Sequence, residues 1–256
     1  MRTYGDTKRD ACPICKSKEL SNIWKIPLTT LTERIKVNDA SLNKIPLLNS
    51  DIVYSFSQCT ECKSVLLDPY ASSYWDDRSD THHADKARKR ELWGSYTERV
   101  INCVKYLTKK ETIADVACGG GQCLTVAKEA NLGFKNYIGI DIRSDSANYV
   151  NSIGFTGITG DVCKSLDFKA DFIIFAEAFE HVQDQNIAIA NVSKALNKGG
   201  ILYLTAQALE ANLPIRPEES VYVNKEALTA LLNRYDIEII EAKLLSGRWK
   251  VIARKI

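Results

Sequence analysis

Three consecutive glycines, Gly119–Gly121, stand between a short apolar run, TIADVAC, and a helix-patterned segment, GQCLTVAKEANLG. A glycine run alone fits a domain joint, a tight turn, or a loop over which a ligand approaches the backbone. Its flanks narrow the choice. TIADVAC reads as a buried strand, and the helix after it is expected to end at Gly133. NYIGID reads as a second strand, followed by the helix SDSANYVNSIG with Ser144 or Asp145 as its cap. TGITGD and ADFIIFAEA supply two further strands. DQNIAIANVSKALNKGG reads as a helix stopped by glycine, and ILYLTA as a fifth strand. Strands alternating with helices in this way imply βαβ units and a mostly parallel sheet. The ending differs: after the helix NKEALTALLNRY, DIEIIEAKLLSGRWKVIARKI reads as two strands joined by Ser-Gly. The expected fold is α/β, a doubly wound, mostly parallel seven-stranded sheet closed by a C-terminal antiparallel hairpin.

Residues 111–256 resemble the class I methyltransferases that use S-adenosylmethionine. Their first strand and loop follow a D-x-G-x-G-x-G pattern, matched here by Asp115-Val116-Ala117-Cys118-Gly119-Gly120-Gly121. Gly119 and Gly121 remove Cβ atoms where the backbone must pass the cofactor. Ala117 stands where the family has glycine, which is tolerable if its φ is negative. The resemblance implies that Asp141, ending the second strand, accepts hydrogen bonds from the ribose hydroxyls, with Ile142 next to it. A carboxylate there suits a diol and repels a 2′-phosphate. It also implies that Asp161 and Val162 read the adenine, and that Glu177 lies near the cofactor. EAFEHV, Glu177–Val182, matches the E-x-x-E-H-V form of this superfamily. A dinucleotide-binding loop is the competing reading. Its G-x-G-x-x-G spacing is not met by three glycines in a row.

The first part of the chain carries different chemistry. CPIC (Cys12, Cys15) and CTEC (Cys59, Cys62) are two C-x-x-C knuckles, four of eight cysteines in the chain. Each knuckle brings two thiolates to one ion, and two knuckles complete the tetrahedral sulfur set of a structural zinc site. A redox pair or unrelated thiols are the alternative. The apolar residues around the second knuckle, YSFSQCTECKSVLLDP, suggest a hairpin, and residues 16–58 between the knuckles must hold an insertion. The expected organisation is a zinc-ribbon domain over 1–70, a linker and helix covering the active site over 71–110, and the methyltransferase domain over 111–256. In that helix Leu92, Tyr96, Val100, Val104 and Leu107 recur at helical spacing and face inward, while Lys86, Arg88, Lys89 and Arg90 form a solvated face.

Methyl transfer needs an aligned acceptor and, for some acceptors, a base. His181 is the candidate base, as the one histidine of residues 111–256. Glu177, Glu180 and His181 can also share a helical face. The string is similar to the metal site of ubiquinone-pathway O-methyltransferases. Tyr74, Trp75, His82, His83, Arg216 and Tyr222 lie in segments that border the acceptor in this fold.

A zinc ribbon ahead of such a domain resembles bacterial tailoring enzymes, including those acting on nucleotide-linked deoxysugars. That likeness makes a small-molecule acceptor, first a sugar or sugar-nucleotide, the leading expectation. The alternative is an RNA methyltransferase that grips its substrate through the ribbon. A formal charge of +2 over 256 residues argues against nucleic acid as a partner. With 45% hydrophobic and 26% charged residues, no apolar run long enough for a bilayer and no apolar N-terminal leader, the expectation is a cytoplasmic protein. The sequence leaves oligomeric state open.

Overall fold

The computed structural model describes residues 9–27, 53–68, 93–210 and 219–256. Tyr74, Trp75, His82, His83, the basic cluster at 86–90 and Arg216 lie outside them.

The parallel core is built as the alternation requires. Strands β4 (Thr112–Val116), β5 (Asn136–Asp141), β6 (Thr156–Thr159), β7 (Ala170–Phe175) and β8 (Leu196–Gln207) run parallel to one another. Strands β10 (Ile237–Leu245) and β11 (Arg248–Lys255) form the C-terminal hairpin, and β11 joins β8 antiparallel. The sheet order is β10-β11-β8-β7-β4-β5-β6. β4 and β7 are buried along their whole length, as a parallel sheet covered on both faces demands. Ser246 and Gly247 both have positive φ, the conformation that a two-residue hairpin turn needs.

Helix α1 (Trp93–Val104) packs Val100 and Cys103 into a cluster with Ile113, Leu124, Phe172, Tyr203 and Ile252. Helices α2 (Gln122–Glu129) and α3 (Ser144–Ser152) follow β4 and β5. Helices α4 (Gln185–Ala195) and α5 (Lys225–Asn233) are capped by the side chains of Asp184 and Asn224, each accepting from a backbone N–H three residues on.

Three local expectations are corrected. Helix α2 ends at Glu129 with Ala130 as its cap, before Gly133. Neither Ser144 nor Asp145 caps α3: the cap is Arg143, and its N–H is taken by Asp141 Oδ1 at 3.1 Å. Glycine does not stop α4, because the helix ends at Ala195 and β8 begins at Leu196. Gly200 is instead a close-approach position inside the strand. A Cβ there would lie 2.8 Å from the Asn197 carbonyl oxygen and 3.1 Å from that of Asp171.

The N-terminal segment forms its own antiparallel sheet, in the order β1 (Leu20–Pro27), β2 (Val53–Cys59), β3 (Val65–Asp68), β9 (Val221–Tyr222). The last of these strands comes from the chain after β8. Asn186 donates its backbone N–H to Pro13 O and its side-chain amide to Ile14 O, while Arg234 also reaches Ile14 O. Cys12, Ile14, Cys59 and Leu66 share one apolar cluster with Ile173, Leu204 and Leu228 of the larger sheet region.

Candidate active site and metal centre

The two cysteine knuckles repeat one geometry. In each, the N–H of the residue after the second cysteine donates to the carbonyl of the first: Lys16 to Cys12 at 2.8 Å, Lys63 to Cys59 at 3.0 Å. Both lysines adopt positive φ, 68° and 62°, which turns the chain back on itself. The Cys12 and Cys59 N–H groups close the turns onto Ser17 O and Ser64 O. The four sulfurs lie within 4.8 Å of one another, with Cys15–Cys59 at 3.4 Å and Cys12–Cys62 at 3.6 Å. Tetrahedral thiolates about 2.3 Å from zinc would stand roughly 3.8 Å apart, so this sulfur set fits such an ion. The hydrogen bond between Cys12 and Cys62 pushes the Cys12 thiol up and the Cys62 thiol down, so the two sulfurs share one proton, which a bound metal ion would displace. Among the described residues these cysteines are the one group of three or more His, Cys, Asp or Glu able to hold a metal.

The second region lies along the carboxyl ends of β4, β5, β7 and β8, the edge where open α/β sheets bind ligands. After β4 the loop Ala117–Gly121 turns into α2. Gly121 N–H donates to Cys118 O, and Cys118 N–H donates to Ile140 O at the neighbouring strand. Gly119 and Gly121 have φ of 52° and 68°, a region closed to most side chains. A Cβ on Gly121 would also come within 3.2 Å of Val150 on α3, so its bareness serves helix packing as well.

Ala117 does not meet the condition of a negative φ, since its φ is 59°. An alanine held in the left-handed region costs about 1 kcal/mol. The loop keeps the glycine conformation without the glycine.

Asp141 tethers this loop. Its Oδ2 accepts from Gly119 N–H at 2.9 Å and its Oδ1 from Arg143 N–H at 3.1 Å. Burial raises its pKa, and the two N–H donors pull the other way. Each oxygen keeps a lone pair for a further donor. Beside it Ile142 is 49% exposed, an apolar surface at the strand end. Asp161 turns its Oδ1 onto Cys163 N–H at 2.8 Å, with Val162 buried next to it.

Asp115 is buried. Its side chain and that of Arg99 both hydrogen-bond the Cys123 thiol, so it is tied to the start of α2 and to α1. Burial raises its pKa to about 7, with Arg99 acting in the opposite sense. Arg99 extends the link to β7, where Nη2 meets Glu177 Oε1 at 3.3 Å. Nothing in the local sequence pattern marks Arg99. It enters through the packing of α1 on the sheet.

Glu177 and His181 sit where β7 leaves the sheet. Glu177 has φ of 56°, and its N–H donates to Thr205 Oγ1 at 2.7 Å. A short 3-10 turn, Phe179–His181, follows. It buries Glu180 completely and leaves His181 partly exposed. Arg248, opposite Gln207 in the β11–β8 register, enters this cluster. Its Nε lies 3.1 Å from Glu177 Oε2 and 3.6 Å from Glu180 Oε1, and Nη2 lies 4.0 Å from Glu219 Oε1. A guanidinium thus stands against the two carboxylates of the string that is similar to a metal site. Glu219 is further held by Gln207 Nε2 at 2.7 Å and Tyr222 OH at 3.0 Å. Arg248, Gln207 and Glu219 escaped sequence reasoning because three separate chain segments bring them together.

A family model described as a methyltransferase domain matches residues 85–242, more than half of the chain. The chain belongs to this methyltransferase family. Its seven-stranded sheet with the antiparallel C-terminal hairpin is the class I fold, and the protein is an enzyme of S-adenosylmethionine-dependent methyl transfer.

Solved methyltransferases share the fold at low identity. One from Aquifex aeolicus is 18% identical with a TM-score of 0.54, covering 70% of this chain and 100% of its own. A chain of the complex between the Haloferax volcanii Trm112 methyltransferase activator and its methyltransferase is 12% identical with a TM-score of 0.55, over 70% of this chain and 99% of that one. The O-methyltransferase NcsB1 of neocarzinostatin biosynthesis was solved with S-adenosylmethionine and 2-hydroxy-5-methyl naphthoic acid. It is 13% identical with a TM-score of 0.54, over 68% and 56% of the two chains. No curated protein sequence matches the chain. No helix among the described residues of the methyltransferase is long and apolar enough to cross a membrane.

Proposed function

We propose that the methyltransferase acts on a small polar acceptor, first a sugar or sugar-nucleotide of a bacterial biosynthetic pathway. It would bind S-adenosylmethionine over the carboxyl ends of β4 and β5. The observation that carries this reading is the loop Ala117–Gly121 tethered by Asp141 at the end of β5, with the exposed Ile142 beside it.

The residues fit the cofactor. A loop bare of side chains at Gly119 and Gly121 lets the backbone approach it, and Asp141 has lone pairs left for the ribose diol. Asp161 and Val162 would flank the adenine, with Ile142 as an apolar face. When bound, the sulfonium supplies an electrophilic methyl group for in-line displacement. The chain's own residues hold the acceptor on the β7/β8 side and exclude water. His181, partly exposed at the β7 exit, is the proposed base for the acceptor proton. Cys12, Cys15, Cys59 and Cys62 would hold a structural Zn²⁺, with four protein sulfurs filling the coordination sphere.

RNA is a poor occupant of this edge. The chain carries a formal charge of only +2, and Arg99 and Arg248 at this edge are already taken by Glu177, whereas a polyphosphate backbone is held by surplus positive charge.

Methyl transfer from labelled S-adenosylmethionine to a panel of sugars and nucleotide sugars tests the acceptor class. His181→Ala is expected to lower kcat about 100-fold with S-adenosylhomocysteine affinity unchanged. Unchanged turnover would remove His181 as the base.

A further inference from the structure

The turn Phe179–His181 carries the proposed base, and a single 3-10 turn has few backbone hydrogen bonds of its own. His181 N–H donates to Ala178 O, and the carbonyls that follow need donors from elsewhere. Side chains from distant segments supply them. Gln185, buried at the start of α4, donates its Nε2 to Phe179 O at 3.0 Å and to Val182 O at 3.1 Å. Glu180 O accepts twice from Ser220, from its N–H at 2.8 Å and its Oγ at 2.9 Å. Arg9 Nη2 reaches Gln183 O at 3.2 Å.

Ser220 is the junction of this network, and it is fully buried. Its carbonyl accepts from Leu67 N–H on β3 at 3.1 Å and from Arg9 Nη1 at 2.9 Å, so both lone pairs are taken. Its Oγ accepts from Arg9 Nη2 at 3.0 Å while donating to Glu180 O. One residue thus joins the N-terminal segment to the turn. The next two residues, Val221 and Tyr222, pair with Leu66 and Val65 of β3, the strand that follows the second cysteine knuckle. Asn224 then donates its Nδ2 to Cys62 O at 3.3 Å. The glycine loop is held by other partners, with Gly119 N–H on Asp141 and Cys118 N–H on Ile140 O.

We propose that Ser220 is a positioning residue for the acceptor side. Through it the N-terminal cysteine-knuckle segment sets where the turn Phe179–His181 stands, and so where His181 meets the acceptor. The consequence for catalysis rests on the reading of His181 as the base; the positioning is independent of it. Loosening Ser220 frees the turn and leaves the glycine loop in place.

Amide hydrogen exchange, together with the imidazole proton resonance of His181, tests this in the full chain. The resonance is assigned by its loss in His181→Gln. Ser220→Ala removes the hydroxyl. Arg9→Gln, at a partly exposed position, loosens the same junction from outside and replaces the first variant should that one fail to fold. Exchange at the amides of His181 and residue 220 is expected to rise about tenfold, with Cys118 and Gly119 within about twofold of wild type. The His181 resonance is expected to move. An equal rise at both pairs of amides, no rise at either, or an unmoved His181 resonance would overturn the proposal. Turnover that survives His181→Ala would remove the base and leave the positioning standing.

Discussion

The cysteine knuckles and the β7 exit are both crowded with ionisable groups, yet they are built on opposite principles. At the knuckles every sulfur faces the other three, and the turns are closed by matched backbone hydrogen bonds. Such a set has no position left for a substrate. At the β7 exit, the buried Glu180 oxygens, Gln207 Oε1 and Arg248 Nε all lack a well-formed hydrogen bond among the described residues, although Arg248 stands between three carboxylates. The knuckles close on themselves with matched turns, whereas the β7 exit holds buried donors and acceptors that are not matched.

The largest expected effect breaks the saturated side. Cys59→Ser leaves three sulfurs, so bound zinc should fall from one per chain to near none by elemental analysis. Stability should drop by about 4 kcal/mol or more, since metal binding and folding are coupled. The apolar cluster shared by Cys12, Cys59 and Leu66 with the larger sheet means the loss should be felt throughout the molecule. Retained zinc and an unchanged melting point would show that the sulfurs do not act as a set.

The next effect sharpens the unmet side, and its sign is opposite. Asp115 titrates near 7 in the fold because it is buried, against about 3.9 in an unfolded chain. The folded state therefore holds a proton that the unfolded state has lost. The resulting penalty is absent below about pH 4, grows up to about pH 7 and is constant above. Glu180 adds a penalty of the same sign over the same window. Unliganded protein should lose a few kcal/mol between pH 5 and pH 8. Asp115→Asn should recover part of that at pH 8 and flatten the slope in chemical denaturation. A wild-type stability that rises over this range would contradict the burial account.

How much of this was legible in the sequence divides along the same line. The knuckles, the glycine loop, Asp141 and the strand alternation are local patterns, since each is carried by a few neighbouring residues. The β8 start at Leu196 was hidden because tertiary pairing with Ala170 outweighs the helical look of ALNKGG. Arg99, Gln207, Glu219 and Arg248 carry no motif, and only the crossing of α1, β8, β9 and β11 brings them to Glu177 and Glu180. The φ of Ala117 was likewise invisible, because an alanine in a turn does not announce its conformation.

The smallest effect concerns that residue. Ala117→Gly relieves left-handed strain of about 1 kcal/mol while loosening the unfolded chain by somewhat less. Thermal unfolding should show a net gain of roughly 0.5 kcal/mol. A loss of more than about 1 kcal/mol would mean that the alanine methyl packs usefully in the loop.

The central claim is that the loop held by Asp141 binds the methyl donor. Calorimetric titration of S-adenosylhomocysteine into wild type and Asp141→Ala tests it most directly. One site per chain is expected in the wild type. In the variant, affinity should fall by about 100-fold, as the loss of charged hydrogen bonds to the ribose and of the Gly119 tether requires. Equal affinity in the two proteins, or no binding in the wild type, would contradict it.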